Sequence, residues 1–186
     1  AALNRHLTDC AVVIADAGTP TPYITRFLKL AGKGSRFIIP RAYGGLGYAI
    51  PAIVGAHYAR PDAKLVSLFG DGSLGMSAGE METLARLNIP AILIHFNNGM
   101  FGWIKALQKL HSQGKYFSVD FNAGDMSAMA TVFGIKSFHV TTPDDLDDAL
   151  SLGFKHDGPV FIDVVSEPEV DKIPPVFSWE AVSQGK

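Results

Sequence analysis

The chain has 186 residues, 47% of them hydrophobic, and its 16 basic and 18 acidic side chains leave a formal net charge of -2. That size and apolar fraction fit one globular domain with a substantial core, and the scattered charges supply neither the basic stripe of a nucleic-acid binder nor an acidic tail, so no nucleic-acid partner is expected. The single cysteine, Cys10, excludes an internal disulfide or a cysteine-held cluster; it reads as a small buried hydrophobe in a reducing, cytoplasmic setting.

Taken in order, apolar runs of strand length recur at Ala11 to Ala15, Arg36 to Ile39, Lys64 to Phe69, Ala91 to Phe96, Ser137 to Val140 and Val160 to Val165. They are continuous Val/Ile/Leu/Phe stretches, as expected of strands covered by helices on both faces. Helical patterns are expected at Gly45 to Ala59, Gly75 to Asn88, Gly102 to Leu110, Asp125 to Phe133 and Asp144 to Phe154. In the second of these, Met81, Leu84 and Ala85 form an apolar stripe among Glu80, Glu82 and Arg86. Strands alternating with helices predict an α/β fold, a doubly wound and mainly parallel six-stranded sheet with helices on both faces, spanning residues 1–186. From about residue 168 the chain reads as an irregular tail containing "KIPPVFSW". The longest apolar runs are too short to cross a bilayer and the N-terminus lacks the order of a signal peptide, so no membrane partner is expected. The chain opens Ala1-Ala2 without methionine and is expected to be a processed chain or a piece of a longer one.

In open sheets of this class, ligands bind beyond the carboxyl ends of the strands. The loops in question are "DAGTP" (16–20), "PRAYGGLG" (40–47), "GDGSLG" (70–75) and "NNGMFG" (97–102). The third is a formal G-x-G-x-x-G match, the pattern of a dinucleotide-binding loop, but the acidic residue wanted at the end of the next strand is replaced by Asn97-Asn98. An acid has instead moved into the loop as Asp71, where a bare carboxylate repels a phosphate. A divalent cation removes the conflict. Asp71 and the amide oxygen of Asn97 or Asn98 are hard donors on neighbouring strand ends, suited to Mg2+ with diphosphate oxygens completing its shell. Gly72 and Ser73, at a helix start, add backbone N–H groups and a hydroxyl toward the same diphosphate.

Gly70-Asp71-Gly72, then 24 residues, then Asn97-Asn98, resembles the cofactor motif of the thiamine-diphosphate-dependent enzymes, and "GEMETLARLNIP" (79–90) is similar to the helix phrase inside it. The resemblance covers nearly the whole chain and is nearest to the diphosphate-binding domain of the group containing acetolactate synthase, benzoylformate decarboxylase and pyruvate decarboxylase. It implies thiamine diphosphate and Mg2+ as cofactors, with Asp71, Asn98 and the backbone carbonyl of Met100 on the metal. It also places Leu46 under the cofactor to bend it, Gly44 as a backbone acceptor for the aminopyrimidine, and Gly18 and Thr19 beside the diphosphate. Bending brings an exocyclic nitrogen to the thiazolium carbon that must lose its proton, a proximity effect.

The family's activating glutamate lies on a pyrimidine-binding domain for which this chain has no room, and Glu80, Glu82, Glu167, Glu169 and Glu180 do not match it. The resemblance therefore implies a complementary pyrimidine-binding domain or subunit in a homo- or hetero-oligomer, dimer or tetramer. The substrate expected is a small 2-oxo acid, decarboxylated and then protonated or ligated to a second carbonyl, with the acetolactate synthase-like carboligase branch slightly preferred. The alternatives are a nicotinamide-binding dehydrogenase domain using "GDGSLG" directly and a non-catalytic interaction module with the same fold. His57 and His95 read as structural histidines, and Lys105, Lys109 and Lys115 as helix lysines able to attract a carboxylate but ordinarily solvated. Asp144, Asp145, Asp147 and Asp148 read as an acidic helix start after Pro143.

Overall fold

The computed structural model describes residues 2–7, 9–122, 124–168, 174–176 and Trp179. In chain order the elements are α1 (Ala2–His6), β1 (Ala11–Ala15), α2 (Pro20–Phe27), β2 (Arg36–Ile38), α3 (Ala49–Ala59), β3 (Lys64–Gly70), α4 (Asp71–Ser77), α5 (Glu80–Arg86), β4 (Ala91–Asn97), α6 (Gly102–His111), α7 (Ser127–Val132), β5 (Lys136–Val140), α8 (Pro143–Gly153) and β6 (Val160–Val165). The strands form one six-stranded sheet in the order β2-β1-β3-β4-β6-β5, every pairing parallel. All six expected strands are present, so the doubly wound α/β reading holds.

Alternation along each central strand feeds two cores. Val12, Ile14, Leu65, Phe69, Leu93 and Phe161 pack on one face with Ile50 and Ile53 of α3 and Met81 and Leu84 of α5. Ala11, Val13, Val66, Leu68, Ile92, Ile94 and Ile162 face the other way, against Leu7, Ile24 of α2 and Leu150 of α8. Each fully buried Leu or Ile stabilises the fold by roughly 2 kcal/mol, against about 0.4 for an exposed helical pair such as Arg86–Glu82, so the two cores decide the architecture.

Several boundaries differ from expectation for identifiable reasons. The helix expected from Gly45 starts at Ala49, because Gly44 and Gly47 have φ of 65° and 79°, a left-handed course that no helix can include. The helix expected over 75–88 is two pieces, α4 and α5. Between them Met81 and Glu82 bond back to the carbonyls of Ala78 and Gly79, three residues away, so the turn tightens there. Strand β2 was expected to be covered on both faces, but Arg36, Phe37 and Ile38 are exposed on the sheet's edge. Helices α1 and α2 were not anticipated; α2 carries Pro20 at its start, where a missing N–H costs nothing. The acidic start of α8 is as expected, closed by a capping box between Thr142 and Asp145. Cys10 is not fully buried: its Sγ lies 2.8 Å from the Arg60 guanidinium, a polar setting that keeps it near the surface. Of the expected tail, 169–173, 177–178 and 180–186, including Glu169 and Glu180, lie outside the described residues. Within it Trp179 is buried against Trp103 of α6, ring centroids 4.2 Å apart.

Candidate cofactor site

The chain leaves β1 toward β2 on one side and returns to β3 on the other, so the order of the sheet reverses between β1 and β3. Ligand crevices form at such a point. Here a cavity of about 790 Å3 opens at the carboxyl ends of the strands, and its lining includes Gly18, Thr19, Gly44, Leu46, Asp71, Gly72, Ser73, Asn98 and Met100, but not Asn97.

Parallel pairing fixes the two halves of the motif against each other, since Gly70 on β3 is in register with Phe96 on β4. Asp71 is the first residue of α4, where the helix dipole favours a carboxylate. Its side chain is only 8% exposed; Oδ2 accepts the backbone N–H of Asn98 at 3.1 Å, and Oδ1 lies 3.5 Å from His95 Nε2. Asn98 Oδ1 accepts the N–H of Met100 at 3.2 Å. Gly99, with φ of 68°, lets the chain double back. Met100 bridges Asp120, but the bonds of that bridge run from Phe101 N–H to the Val119 carbonyl and from Phe121 N–H to the Gly99 carbonyl. The carbonyl of Met100 is not consumed by them. Asp71, Asn98 and Met100 all line the cavity, and a carboxylate, an amide oxygen and a backbone carbonyl are hard-oxygen donors of the kind that suits Mg2+. The two asparagines differ in orientation. Asn97 turns inward, donating from Nδ2 to the Gly124 carbonyl at 2.7 Å and to both carboxylate oxygens of Asp163 at 3.1 and 3.2 Å, whereas Asn98 lines the cavity.

The glycine loop is tightly covered. A Cβ on Gly72 would stand 2.2 Å from the Phe101 ring, so any larger residue there must displace that ring. The Ser73 hydroxyl is bonded to Asp16, and its contribution toward the cavity rests on its backbone N–H. Asp16 was not singled out from the sequence. It is fully buried at the end of β1 and accepts N–H groups of Gly47, Tyr48 and Ala49 at 3.2, 2.8 and 3.0 Å, anchoring the loop that carries Gly44 and Leu46. Burial pushes the Asp16 carboxyl above its ordinary pKa, outweighing the hydrogen bonds from Ser73 and the three N–H groups.

A second polar group missed in the sequence lies just behind. His95, Asp163 and His139 are register neighbours on β4, β6 and β5. Asp163, fully buried, contacts His95 Nδ1 at 2.8 Å and His139 Nδ1 at 2.9 Å and accepts the Met126 N–H at 3.0 Å. Burial works against its charge, but the two histidines prevail and hold its pKa below the ordinary value. For His95 burial likewise opposes charge, but the hydrogen bond with Asp163 and the nearby Asp71 carboxylate prevail, raising its pKa. An aspartate inside the apolar run "VFIDVV" was the available signal. His57, on α3, lies edge-on to Tyr58 and does not line the cavity. Lys105 pairs with Asp120, while Lys109 and Lys115 are exposed; none lines the cavity, where Arg41 and Glu167 are the additional charged residues.

Known proteins supply an independent comparison. The family described as "Thiamine pyrophosphate enzyme, C-terminal TPP binding domain" matches residues 16–164. The chain is 33% identical over 162 residues to an acetolactate synthase of Bacillus subtilis (strain 168), covering 87% of this chain and 28% of that protein. It is 30% identical over 174 residues to the acetolactate synthase isozyme 2 large subunit of Escherichia coli (strain K12), covering 93% and 31%. Among solved structures, the Rhodococcus jostii RHA1 thiamine diphosphate-dependent 4-hydroxybenzoylformate decarboxylase superposes with a TM-score of 0.83 at 28% identity, covering 91% of this chain and 32% of that one. The chain therefore spans about a third or less of the proteins it matches. No helix among the described residues is long and apolar enough to cross a membrane. Loop order, sheet topology and similarity agree: the chain belongs to the thiamine pyrophosphate enzymes, as a C-terminal TPP-binding domain of the acetolactate synthase-like kind.

Proposed function

We propose that this chain is the diphosphate- and metal-binding part of a Mg2+-dependent enzyme acting on a small 2-oxo acid, by decarboxylation followed by protonation or by ligation to a second carbonyl. The acetolactate synthase-like carboligase branch is preferred, because acetolactate synthases are prominent among its relatives. The observation that carries the reading is the meeting of Asp71 and Asn98 at 3.1 Å across adjacent strand ends, on the wall of a cavity that also holds Gly18, Thr19, Gly44 and Leu46.

In this reading Asp71, the Asn98 amide oxygen and the Met100 carbonyl hold Mg2+, and backbone groups of Gly18, Thr19, Gly72 and Ser73 hold the diphosphate. Leu46 and the Gly44 carbonyl are the positioning groups, bending the cofactor and receiving its aminopyrimidine. When bound, thiamine diphosphate supplies a nucleophilic thiazolium carbon and the electron sink that decarboxylation needs. Asp71 reverses its effect on phosphate through the metal, which is why a dinucleotide reading of the same glycines is disfavoured. The activating glutamate is assigned to a pyrimidine-binding domain elsewhere in the parent chain or on a partner subunit, in an oligomer working in the cytoplasm.

Isothermal calorimetry on the intact assembly tests this. Thiamine diphosphate should bind only with Mg2+, and Asp71→Ala or Asn98→Ala should abolish binding. Metal-independent binding of the cofactor, or tight binding of NAD improved by Asp71→Ala, would overturn it. Cofactor binding without turnover of any 2-oxo acid in the intact assembly would favour the non-catalytic module.

A further inference from the structure

Behind the proposed metal ligands, the sheet carries a polar row where a parallel core normally has only apolar side chains. His95, Asp163 and His139 stand directly opposite one another on β4, β6 and β5. His95 and Asp163 are completely buried, and the ring of His95 packs between Phe69 and Phe161 with centroids 5.8 and 6.0 Å away. A phenylalanine would satisfy that packing. Buried polar groups are costly unless they hold something in place.

The network's contacts show what it holds. Asp163 Oδ1 meets His95 Nδ1 at 2.8 Å and receives Asn97 Nδ2 at 3.1 Å, so one carboxylate grips two alternate residues of β4 as it enters the Asn97-Asn98 loop. The far side of the same imidazole, Nε2, faces Asp71 Oδ1 at 3.5 Å, and Nε2 makes no hydrogen bond of its own. Asp71 Oδ2 is meanwhile fixed by the Asn98 N–H. The Asp71 carboxylate is thus bracketed by Asn98 on one oxygen and His95 on the other, and both brackets are set by residues that Asp163 ties down.

We infer that Asp163 and His95 are positioning residues for the metal edge of the site: Asp163 holds His95 and Asn97, and through them fixes the rotation of the Asp71 carboxylate and the course of the loop that presents Asn98. The inference rests on Asp71 and Asn98 being the metal ligands. His139 also touches Asp163 but lies on the edge strand β5, beyond Asp163 from the cavity, and so shares the network without sharing the role.

Mn2+ titration followed by electron paramagnetic resonance, on the intact protein with saturating thiamine diphosphate, separates the possibilities. Groups that orient metal ligands typically carry about 10- to 100-fold in metal affinity. His95→Phe, which keeps the ring packing, should weaken Mn2+ by about 10-fold or more, with far-ultraviolet circular dichroism close to wild type. His95→Gln, able to place a donor near Asp71, should recover part of the loss, Asp163→Asn should match His95→Phe, and His139→Gln should leave affinity unchanged. Wild-type affinity in His95→Phe, with Asp71→Ala still abolishing binding, would overturn the positioning role and leave the metal site standing. If Asp71→Ala bound Mn2+ normally, the ligand assignment itself would be wrong. Should Asp163→Asn fail to fold, the His95 pair decides alone.

Discussion

The carboxylate of Asp16 accepts the backbone N–H of Tyr48 at 2.8 Å, joining the end of one strand to the start of a helix 32 residues later. With Gly47 and Ala49 also bonded to it, Asp16 does for α3 what an N-cap residue does from within the chain. Asp16→Ala leaves three N–H groups without that acceptor and is expected to cost about 2 kcal/mol in urea unfolding at pH 7. Asp16→Asn, which keeps one oxygen in place, should cost less. Equal losses in the two variants would show that the carboxylate is not acting as a cap.

Asp163 predicts a pH dependence. Its folded-state pKa lies below the ordinary 3.8, so its stabilisation is complete above that value and is lost as pH falls through the lower folded value. Asp163→Asn should therefore be about 3 kcal/mol less stable than wild type at neutral pH, a gap that narrows below about pH 4. Denaturant titrations across the acid range would reveal it; a constant gap would mean that the loss comes from packing and not from the charge.

Gly72 and Phe101 form a pair that can be tested by a double-mutant cycle. Gly72→Ala drives a Cβ into the Phe101 ring and should destabilise by about 1–3 kcal/mol. Phe101→Leu should relieve part of this, giving a coupling energy of roughly 1 kcal/mol. Additive effects would indicate that the ring simply swings away.

The two tryptophans of the chain, Trp103 and Trp179, have ring centroids 4.2 Å apart. Their coupling should appear as an exciton feature in circular dichroism, lost in either Trp103→Phe or Trp179→Phe. Since Trp103 lines the cavity, addition of thiamine diphosphate and Mg2+ should also change the fluorescence of Trp179→Phe.

Asp71 and Asn98 were legible in the sequence because each is chemically out of place where it stands: a charge among phosphate-facing glycines, an amide where a ribose-binding acid belongs. Gly44 and Leu46 were legible only through resemblance, and their loop's true end, at Ala49, depends on two left-handed glycines that a helical pattern cannot reveal. Asp16 and Asp163 were not legible as anchors. The bonds of Asp16 span more than thirty residues, and Asp163 meets His95 and His139 only because β6 inserts between β4 and β5, a neighbour relation that chain order does not disclose. The exposed β2 had the same cause: an apolar run tells of a strand but not of its place at an edge.

Gly18, Asp71 and Asn98, all on the cavity wall, follow β1, β3 and β4, three adjacent strands held by an unbroken backbone ladder. Strand separation in such a ladder is about 4.8 Å whatever side chains it carries. The spacing between Gly18, Asp71 and Asn98 is accordingly ruled by peptide geometry, and the helices serve as upholstery that can be re-covered. That ladder is what a chain sharing only 28% of its residues with the Rhodococcus decarboxylase still superposes on, with a TM-score of 0.83.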